Sequence, residues 1–148
     1  MVSHEARRFA PTPEDEARYD QRLNDIEIAM MRMVGERSLG GSDVERWRWD
    51  VPEITMKLRT TDGIERSIQA SIVVDEETGR ESVAVGVSAW RDDERTFTRV
   101  WNSANVANLR MNAREKTIQR AIERAYDRVL GWTRDDLTKQ TSLQPLRR

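Results

Sequence analysis

The chain of 148 residues contains no cysteine and a single histidine, His4. The missing thiols exclude disulfides, thiolate metal sites and cysteine nucleophiles. One histidine, placed in a polar N-terminal segment, cannot build a catalytic triad or a multi-histidine metal site. We therefore expect a protein that is not an enzyme and that uses no metal or other cofactor.

Long apolar runs are also missing. The longest, residues 28–31 and 72–74, fall far short of the roughly 20 residues that a membrane span needs. The charged N-terminus is not followed by the apolar core of a secretory signal. No glycine-rich phosphate loop is present, because the pair Gly40-Gly41 has neither of the known spacings around it. These absences predict a soluble, cytoplasmic protein that neither contacts a membrane nor turns over nucleotides.

Charge is divided unevenly along the chain. Residues 1–94 carry 13 Lys/Arg against 21 Asp/Glu, whereas residues 95–148 carry 12 against 5. The formal net charge of −1 therefore hides an acidic and a basic segment. Such asymmetry predicts a surface that faces a polyanion, or two faces that attract each other between subunits.

The length favours one domain with a real core. We expect a flexible arm at residues 1–11, a single α+β domain at residues 12–140 and a polar tail at residues 141–148. Thr12 and Pro13 have the residue types of an N-cap and a first helical position. Apolar residues recur at helical spacing after them, so we expect an N-terminal helix to about residue 37, ended by Gly40-Gly41.

The middle of the chain predicts an antiparallel β-meander of three to four strands. The spacing of Ser42 and Glu45 suggests a short helical turn before it. Apolar residues then alternate with polar ones, Asp62-Gly63 is typical of a tight hairpin, and Gly79 suits a second turn. Residues 91–94 are interpreted as a turn, and residues 95–101 as the fourth strand.

A long amphipathic C-terminal helix is expected to pack on the sheet. It is predicted to begin near Ser103 or Asn105 and to end where Gly131 takes a left-handed C′ position. Its apolar stripe comprises Met111, Ile118, Ile122, Ala125 and Val129. The segment 133–136 predicts one further helical turn. The fold class is therefore α+β.

Cations follow one flank of this predicted helix. Arg120, Arg124 and Arg128 are spaced four residues apart, and Arg110 and Arg114 fall beside the same row. Ion pairs with Glu123 and Asp127 would make this an ordinary solvated face. Residues 105–130, however, hold six Lys/Arg and only three Asp/Glu. The row therefore predicts phosphate binding, in a groove that Arg99 and Trp101 of the fourth strand would share.

The segment Ala113-Arg-Glu-Lys-Thr-Ile-Gln-Arg-Ala-Ile122, after an Asp-Gly hairpin and the strand Val85-Gly-Val-Ser88, resembles single-strand annealing recombination proteins. This superfamily includes phage RecT, Redβ and Erf, and the resemblance covers roughly residues 51–131. It implies a non-catalytic homo-oligomer that binds single-stranded nucleic acid, DNA rather than RNA, and promotes strand annealing. By position, it implies helix contacts from Lys116 and Arg120 and a sheet contact from Arg99. Gln119 departs from the pattern, since some relatives have lysine there.

The complete predicted nucleic-acid site is Arg99, Trp101, Arg110, Arg114, Lys116, Arg120, Arg124 and Arg128. The alternative hypothesis is a protein-interaction module: an adaptor, secretion chaperone or assembly subunit that uses the Met30–Val34 face and exposed strand edges. In that case the charge asymmetry serves self-association.

Overall fold

The computed structural model describes residues 11–37, 43–48 and 52–138. Helix α1 spans Pro13–Glu36 and is followed by the strands β1 (Asp43–Arg48), β2 (Pro52–Leu58), β3 (Glu65–Val74), β4 (Glu81–Asp93) and β5 (Thr98–Arg110). Helices α2 (Glu115–Leu130) and α3 (Arg134–Thr138) complete the order. The expected α+β class is confirmed. The arm at residues 1–10, the segments 38–42 and 49–51 and the tail from residue 139 lie outside the described residues.

The N-terminus of α1 is capped as its sequence predicts. The Thr12 hydroxyl accepts a hydrogen bond from the Asp15 backbone N–H at 3.1 Å, and the Asp15 carboxylate accepts one from the Thr12 N–H at 3.0 Å. These bonds satisfy two donors that the first helical turn would leave unpaired. They also hold the pKa of Asp15 below its usual value. One face of α1, including Leu23, Ile26 and Met30, is buried.

The sheet has five antiparallel strands in the order β1-β2-β3-β4-β5, one more strand than the largest number expected. Gly63 and Gly79 lie in turns at φ +80° and +71°, a region that favours glycine, as the sequence predicts. Strands β4 and β5 form the longest hairpin, paired from Ser82↔Arg110 to Asp93↔Thr98.

The helical turn expected at residues 42–45 is wrong. Residues 43–48 form β1, which pairs with β2 in the register Val44↔Met56 and Arg46↔Ile54. Val44 packs against the core, and the Arg46 side chain reaches Glu27 of α1 at 2.9 Å. A strand pair and a helix contact, both remote in sequence, therefore override a local capping pattern.

The boundary between the last strand and α2 also differs from expectation. Ser103 and Asn105, expected to cap the helix, pair with Ser88 and Gly86 of β4 instead. Strand β4 extends to Asp93, so the turn expected at residues 91–94 lies at residues 94–97 instead, and α2 begins only after the N-cap Arg114. Met111 therefore precedes the helix. The helix is therefore about three turns shorter than expected, because residues 103–110 complete the long hairpin and residues 111–114 form the connection.

The C-terminus of α2 does not end in the left-handed conformation that the sequence predicts. Gly131 lies at φ −73°, in the right-handed rather than the left-handed region. Its N–H bonds to the Arg128 carbonyl at 3.2 Å, and the chain continues directly into α3, the further turn that the sequence predicts. The Thr133 N–H donates to the Asp136 carboxylate at 2.7 Å and caps that helix.

Both long helices pack on one face of the sheet. Helix α1 lies over β1 and β2, whereas α2 lies mainly over β4, with β3 and β5 on either side. A contiguous core fills the space between the two layers, and Ile26, Ile68, Val85 and Ile122 are all fully buried there. Among the described helices, none combines the length and apolarity that a bilayer crossing requires.

Candidate nucleic-acid interface

The arginine row lies on the exposed side of α2. The helix buries Ile118, Ala121, Ile122, Ala125 and Val129 against the sheet, which confirms the predicted apolar stripe from residue 118 onward. Arg120, Arg124 and Arg128 are all exposed. At about 100° per residue they lie roughly 80° to 160° from the middle of the buried stripe. We call Arg120, Arg124 and Arg128 the arginine row.

The acids of α2 point to other partners. Glu115 accepts a hydrogen bond from Arg32 at 2.6 Å, and Asp127 lies 3.6 Å from Arg37. Glu123 accepts a bond from the Gln119 amide at 3.4 Å. Within the described residues no carboxylate forms a salt bridge with the arginine row. The proposed neutralisation of the row by Glu123 and Asp127 is therefore absent from this part of the structure.

Two of these acids, Glu115 and Asp127, pair with arginines on the α1 side of α2. In addition to its ion pair with Asp127, the Arg37 guanidinium lies over the Tyr126 ring, 5.0 Å from its centroid. Glu115, Tyr126 and Asp127 thus define the seam with α1. Arg124 and Arg128 occupy the opposite side of the helix, above the β5 edge of the sheet.

The remaining predicted helix cations lie near the N-terminus of α2. Arg110 ends β5, and its carbonyl accepts the Ala113 N–H at 3.0 Å in the turn that leads to the N-cap Arg114. Arg22 of α1 fixes this turn by donating to the Ala113 carbonyl at 2.9 Å. Arg110, Arg114 and Lys116 are exposed, and none forms an ion pair with another described residue.

Arg99 and Trp101 do not join this group. Val100 between them is buried in the core, so Arg99 and Trp101 point to the face of the sheet opposite α2. On that face the Arg99 guanidinium lies 3.7 Å from the centroid of the Trp90 ring, and its Nε bonds to Asp92 at 3.1 Å. The expected groove shared by the row and these two side chains is not formed, because the strand parity separates them.

Sequence reasoning missed the role of Arg66. This side chain points into the layer between sheet and helices, where it donates to the carbonyls of Val129 at 3.1 Å and Trp132 at 2.9 Å. Asp62 accepts two further bonds from it at 3.0 and 2.9 Å, which lowers the pKa of Asp62. Arg66 thereby fixes the C-terminal end of α2 to the first hairpin.

Small polar side chains lie in the middle of the open face of the sheet. Ser67, Gln69 and Ser88 form a hydrogen-bonded cluster, and Ser71 donates to Glu53 at 3.0 Å. Glu53, Gln69, Ser71 and Ser88 border an open groove of about 1010 Å³. In the part of the chain that the structure describes, no group of three or more acidic or histidine side chains could hold a metal ion.

No protein-family model, curated protein or solved structure matches this chain. The resemblance to annealing proteins therefore stays a prediction from short motifs, and the case for a function depends on the geometry of α2.

Proposed function

We propose that this protein binds single-stranded nucleic acid, DNA before RNA, along the arginine row, without turnover of the ligand. The observation that carries the proposal is that Glu115 and Asp127 of α2 pair with arginines at the α1 seam, whereas the arginine row has no carboxylate partner among the described residues. Arginines without carboxylate partners remain available to phosphates, which their planar forks bind through paired hydrogen bonds.

The shape of the surface favours binding of a flexible single strand over binding in the groove of a duplex. Helix α2 lies flat on the sheet, so it cannot enter a major groove as a separate recognition helix does. The helix of 16 residues is about 24 Å long, and the arginine row spans about 12 Å of it. Arg110 and Arg114 extend the same cationic strip beyond the helix N-terminus.

Recognition on this strip depends on phosphates. Arg99 and Trp101, expected to share a groove with the row, lie on the opposite face, and Arg99 already covers one ring face of Trp90. We therefore expect weak sequence preference and strong salt dependence. Strand annealing in a homo-oligomer remains part of the proposal through the resemblance alone.

Fluorescence anisotropy with a labelled oligothymidylate at low salt tests the proposal. The unmodified chain should bind, whereas Arg120→Glu and Arg124→Glu should each reduce binding severely, because each reverses a charge within the row. The matched control is Arg46→Glu, which makes the same charge change on the α1 side of the molecule. The proposal fails if no oligonucleotide of any composition binds the unmodified chain at low salt.

The second candidate is the protein-interaction module, although Met30 and Met33 of its expected Met30–Val34 face are buried in the core. A different part of α1 favours it. The outer face of α1 exposes Ile28 and Met31, at 55% and 50% of their surface, beside a shallow groove lined in part by Asp25 and Glu27. Both acids are paired with arginines, Asp25 with Arg22 and Glu27 with Arg46, so the exposed apolar pair suits an apolar partner segment. If the protein is an interaction module, replacing Ile28 and Met31 with serine should abolish partner binding. If it binds nucleic acid along the arginine row, the same replacement should leave oligonucleotide binding intact.

A further inference from the structure

The tip of the hairpin between β4 and β5 carries the most exposed large apolar side chain among the described residues. Phe97 is 92% exposed, whereas the next, Ile28, is 55% exposed. Its backbone lies at φ +56°, and among the described residues other than glycine it alone has a positive φ. A bulky residue is strained in that region, which glycine and asparagine adopt more readily. Neither the ring nor the backbone of Phe97 therefore stabilises the isolated fold.

Hydrogen bonds within the tip fix the backbone around Phe97. The Arg95 N–H donates to the Asp93 carboxylate at 3.0 Å, and the hydroxyls of Thr96 and Thr98 bond to each other at 2.5 Å. Asp93 and Thr98 also form the last register pair of the hairpin. Because this turn is ordered before a ligand binds, use of the Phe97 ring as a contact costs little conformational entropy.

The tip lies beyond the end of α2 at which the arginine row finishes. Arg66 pairs with Ala89 in the sheet and donates to the Val129 carbonyl, so the last turn of α2 lies near the level of Ala89. From Ala89, β4 continues for four residues, about 14 Å, to the tip. The row itself spans about 12 Å. A strand of ten nucleotides, at no less than roughly 3.4 Å each, is long enough to reach from the row to Phe97.

The groove beside the tip has balanced charge. Its volume is about 530 Å³, and it is lined by residues 91–95 of the hairpin and by Arg134 from the start of α3. Three arginines and three acids are present in this lining, so it has no excess of cations to attract phosphates or an anionic membrane surface. What the tip adds to the cationic strip is therefore an aromatic ring and not further charge.

We propose that Phe97 stacks on a base of the single strand whose phosphates lie along the arginine row. This inference rests on the proposed function and adds a base contact to it. A nucleobase suits Phe97 because its flat face covers an exposed ring without any need for charge, and every base has such a face. The contact is consistent with weak sequence preference. A membrane is a poorer partner, since one apolar side chain on a charge-balanced tip is a weak anchor.

Fluorescence anisotropy of the full chain with two labelled strands tests the inference: a ten-nucleotide oligothymidylate, and an abasic strand with the same number of phosphates. Phe97→Asn removes the ring but tolerates the positive φ, so it should not lower the urea midpoint. It should reduce the affinity for oligothymidylate about tenfold and leave the affinity for the abasic strand unchanged, because stacking requires a base. Phe97→Tyr keeps an aromatic ring and should bind both strands as the unmodified chain does.

The matched control is Val73→Asn, which removes an exposed apolar side chain from the open face of the sheet. It should leave both affinities unchanged. Because Phe97→Asn removes no cation, it should also leave the salt dependence of oligothymidylate binding as steep as in the unmodified chain.

The outcomes separate this inference from the proposed function. If Phe97→Asn does not weaken oligothymidylate binding, or weakens binding of both strands equally, the stacking contact is overturned and the proposed function stands. If the unmodified chain binds neither strand at low salt, both are overturned. Binding to phosphatidylserine vesicles that depends on Phe97, with no preference for oligothymidylate over the abasic strand, would overturn the base contact in favour of a membrane contact.

Discussion

The two sides of α2 differ in whether their charged side chains form ion pairs. On the α1 side, Glu115 and Asp127 pair with arginines of α1, and Tyr126 packs under Arg37. On the β5 side, Arg124 and Arg128 have no carboxylate partner among the described residues. Charges on the first side contribute to the packing of two helices. Those on the second contribute little to the fold, so a ligand can use them without opening the structure.

The largest expected contrast lies between a buried and an exposed aliphatic side chain on α2. Ile122 is fully buried against the sheet, whereas Leu130 is 45% exposed. Ile122→Ala should lower the free energy of unfolding by about 2–5 kcal/mol, because it removes buried surface and leaves a cavity. Leu130→Ala should cost less than about 1 kcal/mol. Urea unfolding of both variants measures the difference, and equal losses would mean that α2 does not lie on the sheet as described.

A similar comparison applies to two arginines. Arg66→Met removes a side chain, 6% exposed, that bonds to two carbonyls at the end of α2 and to Asp62. We expect a loss of about 2–3 kcal/mol, since hydrogen bonds to charged groups are worth roughly this much. Arg124→Met should change stability by less than about 0.5 kcal/mol. A loss below about 1 kcal/mol for Arg66→Met would remove the anchoring role assigned to it.

The turns and the apolar stripe of this fold could be predicted because their signals are local. Thr12, Gly63 and Gly79 each meet a backbone requirement of their own turn or cap, and the period of α2 places its arginines away from the core. The face of the sheet that Arg99 occupies depends on strand parity, which an error in the extent of β5 obscured.

The other predictions that the structure does not bear out concern residues whose partners are distant in the chain. Residues 43–48 become a strand because β2 and α1 supply contacts, although the local pattern favours a helical turn. Asn and Ser at residues 102–105 suit helix caps equally well, and only the pairing with β4 decides between the two. The burial of Arg66 follows from carbonyls 63 and 66 residues away in sequence, which no local pattern reveals.

Acidification should weaken the contact between α1 and the start of β4, as it should the Asp62–Arg66 pair. Arg18 bonds to Glu81 at the start of β4 and lowers the pKa of Glu81, and burial together with the Glu81 bond raises the pKa of Tyr19 to about 12. The contribution of Glu81 is present above its unfolded pKa of about 4.3 and is lost as the pH falls through its lower folded value.

Urea midpoints measured between pH 6 and pH 3 check this expectation. Glu81→Gln should remove up to about 1 kcal/mol at pH 6 and flatten the acid side of the profile. Replacing all three residues of the arginine row with glutamine should leave the shape of the profile unchanged, because no described carboxylate depends on them. A flattened profile in that triple variant would reveal ion pairs in the row.

The smallest expected effect is the change in the free energy of unfolding when the arginine row is removed. The triple variant Arg120→Gln, Arg124→Gln and Arg128→Gln should change the free energy of unfolding by less than about 0.5 kcal/mol per site. The matched variant Arg32→Gln, Arg37→Gln and Arg46→Gln removes the same charge but breaks three ion pairs, with Glu115 and Asp127 of α2 and with Glu27 of α1, so it should cost more. Thermal unfolding of the two triple variants compares them directly, and a greater loss in the row variant would contradict the contrast.

The salt dependence of oligonucleotide binding tests the central claim most directly. If the five arginines of the row and its extension each neutralise one phosphate, the logarithm of the binding constant should fall against the logarithm of salt with a slope of about −3.5. The triple row variant should reduce that slope by about 2, and the matched α1-side variant should keep it. Equal slopes for the two variants would contradict the claim that the unpaired flank of α2 is the surface that binds nucleic acid.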